Sequence, residues 1–157
     1  MEATFPAEPE LEFVFEVRAR VSAPLELGEA GGLVRRIVPI DGGDVDGPGL
    51  RGEVVPGGAD WQAIRTDGLT QILARYVIRA QDGTMISVEN KGVRRAAPET
   101  MRRLLAGERV DPSLIYFRAA PTFEAPAGPH GWLSENLFVS AGKRAPDGVE
   151  IRVYKVR

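Results

Sequence analysis

Hydrophobic and polar residues alternate along much of this chain, beginning with residues 11–21. Phe13, Phe15, Val17 and Ala19 fall on one face of that segment, whereas most of its charged residues fall on the other. A period of two is typical of a strand with one buried and one solvated face. The pattern therefore predicts a long, half-buried β-strand near the start of the chain.

Shorter segments of the same character follow and are bounded by turn residues. They are residues 33–40, 50–55, 73–80, 84–90, 114–120, 137–141 and 149–156. Asp82-Gly83 predicts a tight hairpin, and Pro146-Asp147-Gly148 predicts another before the last strand. We interpret Asp41-Gly42-Gly43 and Pro56-Gly57-Gly58 as turns after the strands before them, with glycine pairs that suit turns and bulges.

One segment, residues 98–107, has helical character. Pro98 suits the first position of a helix, and Glu99 is favourable in its first turn. Met101 and Leu104 recur at helical spacing, and Gly107 suits the C-terminal end. The sequence therefore predicts one short helix among the strands.

So many antiparallel strands must close or stack, because open sheet edges promote aggregation. We predict an all-β fold, a closed or nearly closed antiparallel barrel of roughly 8–10 strands with one short helix. A β-sandwich is the alternative. The 157 residues suffice for one core, so we expect a single barrel domain over residues 11–157 after a flexible leader at residues 1–10.

The composition of the chain mainly excludes certain kinds of site and partner. The chain has no cysteine, which rules out disulfides, cysteine zinc ligands and thiol catalysis. A net charge of −2 argues against general nucleic-acid binding. No apolar run approaches the roughly 20 residues that span a bilayer, and the acidic N-terminus lacks signal-peptide character. We expect a cytoplasmic protein that binds neither nucleic acid nor membrane.

The first candidate for chemistry is the pair Asp60 and Trp61, which comes after the Pro-Gly-Gly segment at the expected mouth of the barrel. Asp60 could act as a general base there, with Trp61 as an apolar wall that raises its pKa. In the alternative interpretation, Asp60 caps a short helical turn over residues 61–69 and Trp61 plugs the barrel.

Neighbouring residues of a strand face opposite sides of the sheet. Two further pairs of candidates are neighbours of this kind, so the two members of each pair cannot share a site. Only one of Arg75 and Tyr76 can face the lumen, and the same holds for Phe117 and Arg118. A buried arginine needs a carboxylate partner or an anionic ligand, whereas a lumenal tyrosine could donate a proton.

For two other groups of candidates, a structural role is favoured over a catalytic one. Arg65 and Asp67 lie two residues apart and predict a local ion pair rather than catalysis. His130 is the single histidine and lies in a loop-like stretch, so an exposed position is favoured over a metal site or a catalytic triad.

Several strings of the sequence together resemble one family. They are VPIDGGDVDGPGLRGEVVPGGADWQAIRTDG, ARYVIRAQDGTMISVENKGVR, YFRAAPTFEA, WLSENLFVSAGKR and VEIRVYKV. In order and spacing they resemble the bacterial and fungal family called domain of unknown function 3237. The resemblance implies a compact β-barrel but no particular reaction. It also implies shared polar and aromatic positions, namely Asp60, Trp61, Arg65, Asp67, Arg75, Tyr76, Asn90, Phe117, Arg118, Phe123, Glu124 and Trp132.

Two positions depart from the family pattern. Leu73 stands where relatives usually have Asp, and Ser134 stands where they usually have Asn. Leu73 shares a strand face with Arg75, so the departure removes a natural counter-charge. Either Arg75 has another partner, or the pocket of this chain is less polar than that of its relatives.

These features favour a cofactor-independent acid–base enzyme of isomerase, hydratase, lyase or cyclase type, acting on a small, partly apolar organic molecule in the barrel. Asp60 would be the base, Tyr76 the acid, and Arg118 or Arg75 the stabiliser of negative charge. The expected binding residues are Trp61, Arg65, Arg75, Asn90, Glu124, Trp132 and Ser134. We expect neither a metal nor another cofactor.

Two alternatives remain open. One is a barrel that binds a small hydrophobic ligand without turnover, as many small barrels do. The other is a homo-oligomeric scaffold whose core is filled. The expected partner is thus a small-molecule ligand, with self-association left open.

Overall fold

A computed structural model describes residues 3–157, and most of them lie in β-strands. The elements are β1 (Leu11–Val21), β2 (Leu25–Ala30), β3 (Leu33–Asp46), β4 (Gly52–Ile64), β5 (Thr70–Ala80), β6 (Met85–Arg95), α1 (Pro98–Leu105), β7 (Tyr116–Glu124), β8 (Phe138–Ala145) and β9 (Gly148–Val156). Short 3₁₀ turns occupy Pro112–Leu114 and Gly131–Ser134. Within residues 3–157, no helix is long and apolar enough to cross a membrane.

The strands form a closed antiparallel barrel, as the alternating pattern predicted. Pairing runs from β1 through β9, β8, β7, β6, β5 and β4 to β3, and β1 also pairs with β3 to close the ring. β2 lies outside this ring, because it pairs only with the first part of β3, from Leu25↔Ile37 to Ala30↔Leu33. β2 has no counterpart among the strands predicted from the sequence.

Both glycine-rich segments, for which the glycine pairs predicted turn and bulge conformations, are bulges, and the strands continue through them. β3 passes through residues 41–43, where its register with β4 shifts between Ile40 and Gly43. β4 passes through residues 56–58, where its register with β5 shifts between Val55 and Ala59. The helical turn offered as an alternative over residues 61–69 does not form, because β4 extends through Ile64.

The other predicted elements need smaller corrections. α1 and the hairpins at Asp82-Gly83 and Asp147-Gly148 are confirmed, but β6 and β7 extend beyond their predicted ends to Arg95 and Glu124. A register shift in β1 leaves Phe13 39% exposed, so its predicted place in the buried face is wrong. The predicted leader lies partly outside the described residues; residues 3–10 are exposed and form no helix or strand.

Aromatic packing fills one end of the barrel interior. Phe123 contacts Phe15 and Phe138 edge-on, with ring centroids 5.7 and 5.0 Å apart. Trp132, from the loop between β7 and β8, packs on Phe138 at 5.7 Å. These residues belong to one apolar core that closes this end of the barrel.

Helix α1 covers the opposite end. Met101 and Leu104 are buried on its inward face. The Arg144 guanidinium on β8 donates a hydrogen bond to the Leu104 carbonyl at 2.8 Å. Gly68, in the loop between β4 and β5, lies against the Met101 side chain. The helix therefore bridges β8 and the β4–β5 loop across the barrel end.

Barrel closure leaves no room for a side chain at position 43. Gly43 has a φ of +148°, and a Cβ added there would overlap the Arg18 carbonyl oxygen of β1. Gly43→Ala is therefore expected to lower the free energy of unfolding by about 3 kcal/mol or more, because backbone strain and overpacking add. Urea unfolding followed by circular dichroism measures this change.

Gly83→Ala is the matched control. Gly83 also has a positive φ, +89°, but a Cβ there would meet no atom within 4 Å. This substitution should cost only the strain of the left-handed backbone, about 1–2 kcal/mol. Equal losses for the two variants would contradict the steric account of closure.

Candidate functional site

Polar side chains collect inside the barrel at the end covered by α1. Gln62, Asn90 and Arg94 are only 6%, 2% and 8% exposed. We call the whole group the inner polar cluster, which consists of Arg36 on β3, Asp60 and Gln62 on β4, Asn90 and Arg94 on β6, and Arg144 on β8. It lies between the apolar core and α1.

A hydrogen-bonded relay holds Asp60 in place. Arg36 Nε donates to Gln62 Oε1 at 2.8 Å, and Gln62 Nε2 donates to Asp60 Oδ2 at 2.8 Å. The Leu73 backbone N–H donates to Asp60 Oδ1 at 3.1 Å. Since a guanidinium only donates and a carboxylate only accepts, the two ends of the relay determine the orientation of the Gln62 amide.

The environment makes Asp60 a better base than an exposed aspartate. Burial raises its pKa above the usual value, although the bonds from Gln62 and Leu73 and the charges of Arg94 and Arg36 oppose the shift. A carboxylate with a raised pKa accepts protons more readily near neutral pH. Asp60 is thus oriented, inward-facing and basic.

Arg94 and Asn90 carry buried polar atoms that no group within residues 3–157 satisfies. These atoms are Arg94 Nε, Arg94 Nη2 and Asn90 Oδ1. Burial, followed by repulsion from Arg144 and Arg36, lowers the pKa of Arg94 to about 10, so the guanidinium stays charged at neutral pH. An unpaired buried donor costs about 1–3 kcal/mol, and more when it is charged. These atoms therefore mark a place where a bound molecule could form hydrogen bonds.

Tyr76 faces the barrel interior, and its neighbour Arg75 faces outward. Burial raises the Tyr76 pKa above its usual value, so its hydroxyl keeps the proton at neutral pH. Ala74 on β5 is the register partner of Asp60 on β4. Tyr76 lies two residues after Ala74 and faces the same interior. Trp61 is 52% exposed on the outer face, so the expected Trp61 wall beside Asp60 does not exist.

Comparison with known proteins agrees with the resemblance noted in the sequence. A family model described as protein of unknown function (DUF3237) matches residues 9–156. The chain belongs to the DUF3237 family.

Relatives of this DUF3237 protein match over nearly their whole length. A UPF0311 protein from Rhodopseudomonas palustris is 44% identical over 147 residues, which cover 94% of this chain and 96% of that protein. The crystal structure of a conserved protein of unknown function from the same species has a TM-score of 0.90 at 41% identity, covering 97% of this chain and 100% of that one. An enzyme from Penicillium herquei has a TM-score of 0.73 at 18% identity, covering 99% of this chain and 100% of that one, a likeness in fold alone.

The departure from the DUF3237 pattern at Leu73 does not leave Arg75 without a counter-charge. Arg75 lies on the outer face, and its Nε is 3.2 Å from Glu89 Oε2 on β6. The first of the two explanations therefore holds, because Arg75 has another partner. Leu73 itself contributes to the site only through its backbone N–H bond to Asp60.

Arg118 lies outside the lumen, in a groove of about 870 Å³ between the diverging strands β7 and β8. Its guanidinium carbon is 5.7 Å from the Tyr116 ring, which Arg95 covers at 4.4 Å. Since Phe117 faces inward, Arg118 and Asp60 lie on opposite faces of the barrel wall. The structure does not bring the predicted stabiliser of negative charge to the predicted base.

The remaining candidates also lie away from the inner polar cluster. Arg65 pairs with Asp67 at 2.7 Å in the exposed β4–β5 loop. Glu124 and Ser134 border a second outer groove of about 500 Å³. The Ser134 hydroxyl accepts a hydrogen bond from the Ala125 N–H at 2.9 Å and so holds the loop that carries Trp132.

His130 is less exposed than expected. Its side chain is 17% exposed, and Nε2 lies 2.9 Å from Asp82 Oδ2 in the β5–β6 hairpin. This contact joins two loops beside the apolar end of the barrel. Within residues 3–157, no group of three or more His, Asp or Glu side chains has the arrangement of a metal site.

Most of the inner polar cluster, namely Arg36, Gln62, Arg94 and Arg144, was absent from the predicted site. Gln62 lay beyond the end of the strand predicted at residues 50–55, and Arg94 lay beyond the end of the strand predicted at residues 84–90. Period-two spacing was the available signal, because Gln62 shares a face with Asp60, and Arg94 shares one with Asn90. Arg36 likewise alternates with Val38 and could have been assigned to the inner face.

Replacing Gln62 tests the relay. Gln62→Leu removes a hydrogen bond that favours the ionised form of Asp60, so the Asp60 pKa should rise further above its usual value. The ¹³C chemical shift of the Asp60 carboxyl, followed against pH, measures this pKa. Gln71→Leu, at an exposed position of β5, is the matched control and should leave the titration unchanged. An unchanged Asp60 midpoint in Gln62→Leu would show that the relay does not govern its basicity.

Proposed function

We propose that this protein is a cofactor-independent acid–base enzyme acting on a small, partly apolar organic molecule inside the barrel. The supporting observation is the Asp60 carboxylate, held inward by two N–H donors in a setting that raises its pKa. An oriented carboxylate of this kind suits proton abstraction. Isomerisation, elimination, hydration and cyclisation all use such a step.

The interior arginines take over the role first expected of Arg118. Arg94 and Arg36 act electrostatically on Asp60, and both belong to the inner polar cluster. Negative charge passes from the base to the substrate when the proton moves, and fixed cations nearby stabilise it there. Tyr76 acts as a neutral hydrogen-bond donor, because a raised pKa makes its hydroxyl a weak acid.

A ligand-binding barrel without turnover is the second candidate. The free buried atoms of Arg94 and Asn90 favour it, since they could hold a ligand without any proton transfer. The two functions differ in one observable, namely whether a bound compound exchanges protons with solvent.

Proton exchange in D₂O provides the test. The wild-type protein is incubated with a panel of small phenols and enolisable carboxylic acids, and ¹H NMR follows the loss of exchangeable C–H signals. Asp60→Asn should slow exchange by about 10²–10⁴-fold, the usual contribution of a general base. The wild-type rate should rise with pH through the raised pKa of Asp60, because only the ionised carboxylate accepts a proton.

Asp67→Asn is the matched control, since Asp67 lies in the exposed β4–β5 loop and should leave the rate unchanged. Circular dichroism establishes that both variants fold. A folded Asp60→Asn protein with the full exchange rate would rule out Asp60 as the base. Compounds that bind the wild type and return without deuterium would favour the second candidate.

A further inference from the structure

The inner polar cluster carries more positive than negative charge. It holds three guanidinium groups, those of Arg36, Arg94 and Arg144, and one carboxylate, that of Asp60. Burial is the main reason why the pKa of Arg94 is lowered, and repulsion from Arg144 and Arg36 lowers it further. Such an arrangement is favourable when an anion joins it.

Two of the three arginines already have partners. Arg36 donates to Gln62, and its Nη1 lies 3.8 Å from Glu26 on β2. Arg144 donates to the Leu104 carbonyl at the C-terminal end of α1. Both Asp60 oxygens accept hydrogen bonds from other groups. Arg94 is therefore the arginine of the cluster with buried donors left over.

The free atoms of Arg94 define the shape of the missing partner. Nε–H and an Nη2–H project in parallel from one edge of the guanidinium plane, and neither nitrogen has an acceptor in the part of the chain that the structure describes. A carboxylate presents two oxygens at the matching spacing, so it can accept both bonds at once. We propose that this edge of Arg94 binds the carboxylate of the substrate, which makes the substrate a small organic acid.

The surroundings of Arg94 select an acid with an apolar body. Its guanidinium carbon lies 5.9 Å from the centre of the Phe117 ring. Gly92, one pleat away on the same face, pairs with Ile72 on one side and Ala119 on the other, and both are buried. Asn90 Oδ1 lies one pleat beyond Gly92 as a free acceptor, which favours substrates that also carry a hydroxyl or another donor.

This inference rests on the proposed function, because it assigns the anion to the substrate of that reaction, but its binding test does not require turnover. Titration calorimetry compares phenylacetate with phenylacetamide, its neutral isostere. The wild-type protein should bind phenylacetate at least about tenfold more tightly, since only the carboxylate pairs with the Arg94 edge. Arg94→Gln should abolish this preference.

Arg75→Gln is the matched control, because Arg75 is exposed on the outer face and should leave the preference intact. If Arg94→Gln fails to fold, the test is made on the wild type by following the ¹⁵N NMR signal of Arg94 Nε. Phenylacetate should shift that signal, whereas phenylacetamide should not. Equal affinities for the two compounds, or an unaltered preference in Arg94→Gln, would overturn the inference. Displacement of phenylacetate by an equal concentration of inorganic phosphate would also overturn it, in favour of a phosphate site.

Asp60→Asn separates this inference from the proposed function. Removing the one carboxylate of the cluster leaves less repulsion against a bound anion, so the variant should bind phenylacetate at least as tightly as the wild type. Full proton exchange by Asp60→Asn would refute the base while leaving the Arg94 site standing. If the wild type did not prefer phenylacetate over phenylacetamide, the Arg94 site would be refuted, whereas the proton-exchange result would still stand.

Discussion

The barrel depends on two close backbone approaches to β1. Gly43 of β3 lies against Arg18 and Ala19 on one side, and Gly148 of β9 lies against Ala19 and Arg20 on the other. A Cβ at either glycine would overlap a β1 carbonyl oxygen. Because these contacts let β1 pair on both edges, the sheet closes, and closure assigns every strand residue either to the interior or to solvent.

The interior then divides into two regions of different physical character. Aromatic and aliphatic side chains around Phe123 fill one end and supply hydrophobic stabilisation. The other end holds Asp60, Arg94 and their neighbours under α1, where burial opposes ionisation. Hydrogen bonds partner Asp60, Arg36 and Arg144 there, whereas Arg94 keeps buried donors that cost the fold stability.

The sequence predicted the fold better than the site, for a specific physical reason. Alternation over residues 11–21 and the Asp82-Gly83 turn are local signals, and both elements formed as expected. A glycine-rich bulge and a glycine-rich turn demand the same backbone conformations, so only pairing with β3 and β5 shows that β4 continues past residues 56–58. Ending that strand early removed Gln62 from the inner face, and ending β6 at Asn90 removed Arg94. Both its sequence context and the family resemblance pointed to Asp60, but neither could indicate which arginine faces the carboxylate.

The two bulges also bear on how this chain can change in length. Glycine- and proline-rich stretches are usually where homologous proteins gain or lose residues freely. Here the segments at residues 41–43 and 56–58 lie inside paired strands and determine which face each later residue of the strand occupies. If the loss of one residue from Pro56-Gly57-Gly58 shifted the pairing of the rest of β4 by one, Trp61 would face the lumen and Asp60 would face solvent. The segment with the most loop-like composition is therefore one in which length is strictly constrained.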